Sequence, residues 1–557
     1  METRKLLLIL SGIAVALIAI IGGLSVALLA GGGGNGGGEG GPSPRESPGV
    51  ETPVLPERVQ GELRLFGGDP VTLDPACASD ATSAEYIVEI FSGLVSFDKE
   101  LNIIPDIAER WEVSPDGRVY TFYLRKNVLF HDRSRRVTAS DFKFSLERSL
   151  NPRTQSTVGE VYLDDIVGAL EFANGQADEV IGIKVIDDDT LQITIDAAKP
   201  YFLAKLTYPT AYVVDQRQVR DSNCFQGNWT RKPNGTGSFK LKEWALGQRI
   251  VLEANANFYL DPKPSLARVT YALTGSPLIM YENDEIDVTG VGINDIERIR
   301  DPNEPLHAEF VERESLDVYY IGFNTKEPPF DDPRVRRAMA MAIDREFLAN
   351  NILKELAVPA KGVLPPGMPG FLPELKGLPY DPAGARALLD QAGGSEVLKD
   401  VVLLTSGRGA SAGPVLDALV AMWQQNLGVT VTVQQEEFGL FLRDLDRSEF
   451  RMFDLGWIAD YPDPQNFLDI KFHSQNANNE TGYSNPQVDK LLEQARTEED
   501  EQTRLRLYQQ AEEIIVQEAP WIPLFHSMAN ALIKPQVKGY TIPPFVIPNL
   551  RYVSVSR

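Results

Sequence analysis

Side chains able to do chemistry are few and scattered in this sequence. Histidines occur at 131, 307, 473 and 526, too dispersed for a histidine-rich metal centre. His131 and Asp132 supply two parts of a charge relay, but no nucleophile stands at a fixed local spacing from them. For each histidine, hydrogen bonding in the core or at the surface is the ordinary role, set against metal or acid–base work. The acidic runs Asp187–Asp188–Asp189 and Asp331–Asp332 suit a solvated surface. Adjacency does not place two carboxyls across a glycosidic bond. HExxH, Walker A, the dinucleotide glycine fingerprint and the GxSxG elbow are missing. Gly235–Thr236–Gly237 and Gly407–Arg408–Gly409 fit turns and lack the spacing of a phosphate cradle. The motifs thus imply no catalytic residue, cofactor or protein-ligated metal.

Composition narrows the classes further. Lys and Arg total 54 against 78 Asp and Glu, a net charge of −24, which disfavours a broad nucleic-acid surface. A 43% hydrophobic content over 557 residues supports sizeable cores and about three or four domain-sized units. Arg4 and Lys5 precede the uncharged apolar residues 6–30. As a helix that stretch spans about 37 Å, enough for a hydrocarbon layer of about 30 Å. Its basic flank keeps residues 1–5 in the cytoplasm and the body outside. An uncleaved single-span anchor is expected, with a cleaved signal as the other reading. Residues 31–60 are a Gly- then Pro-rich tether. Export permits a Cys77–Cys224 disulfide, with two isolated thiols as the alternative.

The elements that must position any site are mixed. Residues 62–66, 120–125 and 191–195 read as strands. Thr138 and Asp141 form a capping box before the stripe Phe142, Leu146, Leu150. Asp332–Pro333, Asp381–Pro382 and Asn485–Pro486 each announce a helix start. Residues 401–405, 414–427, 429–433 and 451–457 read as strand, helix stopped by Gly428, strand and strand, hence a parallel sheet. Asp460, just beyond the last strand, is then a cleft candidate, because ligand crevices open at carboxyl strand ends.

Long stretches carry a resemblance. They include LRLFGGDPVTLDPACASDATSAEYIVEIFSGLVSFD, NGTGSFKLKEWALGQRIVLEANANFY, YIGFNTKEPPFDDPRVRRAMAMAIDR and GWIADYPDPQNFL. In this order the sequence resembles the peptide/nickel class of extracellular solute-binding proteins of ABC transporters, especially oligopeptide and dipeptide binders, over about residues 61–557. The resemblance implies an α/β, two-lobed periplasmic-binding-protein-like fold of the cluster C, type II kind. A third domain is inserted in the first lobe, and the N-terminal transmembrane helix precedes it. Expected boundaries are 61–97, 205–322 and 515–557 for lobe I, 98–204 for the inserted domain and 323–514 for lobe II.

The same resemblance implies that ligand bridges the lobes and that the closed face docks on a heteromeric permease with cytoplasmic ATPase subunits. The body is expected to be a monomer in the bacterial cell envelope, on the outer side of the cytoplasmic membrane, with no nucleic-acid partner. Asp460 would pair with the ammonium of a short peptide. Trp457 is a candidate apolar wall or a core aromatic. Tyr461 offers a ring face and a hydroxyl, Asn324 a backbone-binding amide or a crossover hydrogen bond, and Arg408 a receptor for a ligand carboxylate. The lipid-anchoring cysteine of some relatives is absent, and Ile458 replaces a cysteine that some oligopeptide binders carry. Another polar or amine-containing ligand, a metal chelate, a noncatalytic signalling receptor and an extracellular hydrolase are the competing readings.

Overall fold

A computed structural model describes residues 55–407 and 411–556. Local chemistry sets its elements much as the sequence implies. Asp332, Asp381 and Asn485 each accept a backbone amide from the first turn of the helix they open, at Arg334, Gly384 and Gln487. The following proline occupies a position where no intrahelical amide is needed. Helix Pro414–Leu427 ends at Gly428, whose φ of 71° is the left-handed conformation glycine adopts without a Cβ penalty. Helix Ala139–Leu150 opens on the Thr138–Asp141 capping box and buries Phe142, Leu146 and Leu150.

Strand Val402–Ser406 pairs in parallel with both Thr432–Glu436 and Met452–Ile458. The expected strand at 429–433 thus begins three residues later, because Val429 and Val431 are buried on the way out of the helix. These strands form one end of a 12-stranded mixed sheet. Its other end is built from Glu62–Phe66, Arg268–Ala272, Arg249–Ala254 and Phe239–Ala245.

Strand Trp521–Ile533 ties the two ends together. Its first half pairs with Asp317–Phe323 and its second half with Phe310–Glu314. Thirteen residues reach about 43 Å in extended form, so one strand spans both halves of the sheet. A separate four-stranded antiparallel sheet, Ala108–Val113, Val119–Leu124, Thr190–Thr194 and Ile183–Asp187, lies within the 98–204 segment. Apolar packing joins that segment to the sheet's distal end, since Phe122, Phe142 and Tyr162 share one core with Tyr461, Phe467 and Tyr508.

Cys77 and Cys224 are joined as a disulfide, their Cα atoms 5.5 Å apart. Around it Arg148 grips Asp74 with two nitrogens, and the Cys224 amide donates to Thr154 at 2.9 Å. Among the described residues no helix is long and apolar enough to cross a membrane. The anchor expected at 6–30 lies outside those residues, as does most of the tether.

Candidate functional site

The polar centre grows from the exit of strand Met452–Ile458. Pairing with Asp317–Phe323 sets Trp457 opposite Val318 and Ile458 opposite Asp317, and the Ala459 amide closes the register on the Leu316 carbonyl at 2.8 Å. The chain then turns, and Asn466 holds the turn by three bonds. Its Oδ1 accepts the Asp460 amide at 2.9 Å, its Nδ2 donates to Asp460 Oδ2 at 2.8 Å, and its carbonyl accepts Trp457 Nε1 at 3.0 Å. Arg504 anchors the far side of the loop with two bonds to Asp463, 2.7 and 2.8 Å long. These contacts leave the Asp460 carboxylate little rotamer freedom.

A second chain segment completes the site. Tyr162, on the short helix Gly159–Leu163, donates its hydroxyl to Asp460 Oδ2. The Tyr162 ring stacks on Tyr208 at 3.8 Å, and the Tyr208 hydroxyl donates to the Ala78 carbonyl at 3.0 Å. The bond joins the 98–204 segment to the 323–514 segment. Arg504 adds another crossing, its guanidinium carbon 5.5 Å from the centre of the Tyr201 ring.

Burial pushes the Asp460 carboxyl up from 3.8 to about 6, and the Tyr162 and Asn466 hydrogen bonds with the Lys471 charge offset only part of that cost. Both donors use Oδ2. Oδ1 therefore retains its acceptor capacity, and Asp460 is only partly buried. A carboxylate held this way, short of compensating charge, can receive a cation that brings its own N–H donors.

The residues singled out by sequence fare differently. Trp457 is half-buried beneath the Lys471 ammonium, 3.8 Å from its ring centre. Tyr461 is fully buried, and its hydroxyl donates to Gln465 at 2.5 Å. That commits both its ring and its hydroxyl to the interior. Asn324 is not brought to the site. Phe323 pairs with Met452 at the opposite end of the strand from Ile458, about 20 Å away at roughly 3.3 Å per residue. There the Asn324 amide donates to Arg451 and its Oδ1 accepts the Lys326 amide, the bonds of a crossover turn. Arg408 lies outside the described residues. Sequence reasoning missed Tyr162, Tyr208, Asn466 and Lys471. Asn466 stood inside a quoted motif, six residues after Asp460, but nothing local marked Tyr162.

The profile described as bacterial extracellular solute-binding proteins, family 5, middle, matches residues 102–479. The Escherichia coli protein described as probable deoxycholate-binding periplasmic protein YgiS is 32% identical, over 88% of this chain and 92% of its own. The periplasmic oligopeptide-binding protein OppA of Salmonella typhimurium is 30% identical, over 86% and 89%. The solved murein tripeptide binding protein MppA of Escherichia coli is 29% identical. It superposes with a TM-score of 0.81 over 89% of this chain and 98% of its own. Its unliganded open form, at the same identity and covering 91% and 99%, scores 0.64. The lobes here thus stand nearer the first MppA arrangement than the open one.

Proposed function

This chain belongs to the bacterial extracellular solute-binding proteins of family 5, and from that premise we propose that it captures short peptides between two lobes for an ABC importer. The observation that carries the reading is the Asp460 carboxylate, fixed by Asn466 and met by Tyr162 from the 98–204 segment, with Oδ1 left to accept a peptide ammonium. Charge-assisted hydrogen bonds of this kind are the stronger ones in a partly desolvated site. Ligand shared by both walls favours the closed arrangement, which is the form that docks on the permease.

On this reading the lobes divide at 61–97, 205–322 and 515–557 against 323–514, with 98–204 inserted. The crossover strands Asp317–Phe323 and Trp521–Ile533 carry the motion. Residues 6–30 anchor the protein, the body faces outward as a monomer, and cytoplasmic ATPase subunits supply the energy. Binding and release suffice for this role, and no bond in the ligand is broken.

The YgiS relative, described as probable deoxycholate-binding, favours a second reading in which the same cleft takes a non-peptide ligand. Native mass spectrometry of the gently purified full-length protein separates the two. Co-purified masses that fragment as short peptides support the proposal. A single non-peptide mass replaces it with the second reading, and a ligand cleaved on standing would reopen hydrolysis.

A further inference from the structure

Strand Trp521–Ile533 changes partners around His526, and a cavity of about 260 Å³ lies beside that change. Glu314 bounds it from the end of strand Phe310–Glu314, and His526 from the crossover strand. Glu512 of helix Glu501–Glu518 bounds it from behind. Val358, Leu364, Phe371 and Leu375 give it an apolar wall. Asp460, Tyr162 and Asn466 do not line it.

Its two interior polar groups, His526 and an ionised Glu512, are both acceptors. His526 Nδ1 lies 2.8 Å from the Asp317 carbonyl and must donate to it, so Nε2 carries the lone pair. Burial pushes this imidazole down to about 4, which keeps the ring neutral. Glu512 Oε1 accepts the Val363 and Leu364 amides at 2.7 and 2.8 Å, while Oε2 has no protein donor among the described residues. Glu314 adds a carboxylate at the exposed rim, where the Lys361 ammonium is turned to the Pro373 carbonyl.

We propose that this crossover cavity is a second ligand site, distinct from Asp460, and that it takes a small apolar primary amine. The ammonium would donate to Glu512 Oε2 and His526 Nε2 while the hydrocarbon body fills the wall. With Glu512 ionised, an apolar molecule without a donor would leave both acceptors unpaired, which carries the cost of a lost hydrogen bond. Burial pushes the Glu512 carboxyl up to about 7, and an ammonium beside it would draw off that proton.

Calorimetry of the full-length protein with phenethylamine tests the site. Saturable binding is expected in wild type, retained in Asp460→Asn, and weakened at least about tenfold in Glu512→Gln, the scale of one charge-assisted hydrogen bond. Gln keeps an oxygen for the two loop amides. Phenethyl alcohol, of similar shape but uncharged, should bind more weakly than the amine. Should Glu512→Gln unfold, Leu372→Trp, at a partly exposed lining position, should block the amine by filling the cavity. Absence of saturable binding, equal binding in wild type and the lining variants, or binding lost only in Asp460→Asn would each overturn the proposal.

Discussion

The Tyr162 hydroxyl and the Asp460 carboxylate, 298 residues apart in sequence, meet in a direct hydrogen bond across the interface between two chain segments. That bond uses Oδ2 and ties the two segments together, while Oδ1 is the atom proposed to receive a ligand cation.

Replacing Asp460 by Asn keeps volume and one acceptor but removes the anion. Peptide affinity should fall by roughly ten- to a hundredfold, the effect of about 1.5–3 kcal/mol for a charged hydrogen bond. The matched ligand change is N-acetylation. Wild type should prefer the free amino terminus strongly, and Asp460→Asn should lose most of that preference in calorimetry. Equal discrimination by the two folded proteins would remove Asp460 from the role.

Peptide affinity should also depend on pH in a set direction. The ligand-free Asp460 carboxyl sits near 6 because burial disfavours its charge, and a bound ammonium favours that charge. Affinity should hold above about 6 and fall with acidification, by up to about tenfold per pH unit. It should fall again above about 8 as the peptide amino group, with its pKa of about 7.7–8.0, loses its proton. The ligand-free fold responds with the opposite sign. A carboxyl raised on folding costs stability in full above about 6, and the cost vanishes below its unfolded value near 3.8. Titration calorimetry from pH 4.5 to pH 9 reads the first effect, and a flat profile would contradict it.

Tyr162→Phe should retain the stack on Tyr208 while deleting the hydroxyl bridge. A loss of about 1.5–3 kcal/mol from the closed arrangement shifts the lobe equilibrium by roughly ten- to a hundredfold. Small-angle scattering should give a larger radius of gyration for the ligand-free variant than for wild type, with peptide restoring the compact value. Identical radii would show that the bridge does not hold the lobes.

Protein never exposed to reductant should yield a crosslinked Cys77–Cys224 peptide in nonreducing mapping. The bond closes a long loop, with a sequence separation of 147. Its removal by paired Ser substitutions should therefore cost about 2–5 kcal/mol in denaturant unfolding. Two alkylatable thiols in the native protein would reject the pairing.

An epitope placed after residue 60 should be accessible on intact cells, and membrane-bound protein should retain its original N-terminus. Cleavage near Ala30 with a freely soluble product would replace the anchor by an export signal.

Local chemistry wrote much of this protein into its sequence. Side-chain caps before proline, the glycine stop after Leu427 and the alternation of strand Thr190–Thr194 all depend on neighbours within a few residues. The family resemblance rested on stretches of the same local kind, including the motif that holds both Asp460 and Asn466. Tertiary structure decided what those residues do. Tyr461 and Asn324 carry the right functional groups for a ligand, but one is sealed in the core and the other sits at the far end of its strand. Tyr162 reaches Asp460 only because the 98–204 segment shares a core with residues hundreds of positions later. A hydrogen bond needs two groups within about 3 Å, and no spacing along the chain encodes that distance once the partners stand 298 residues apart.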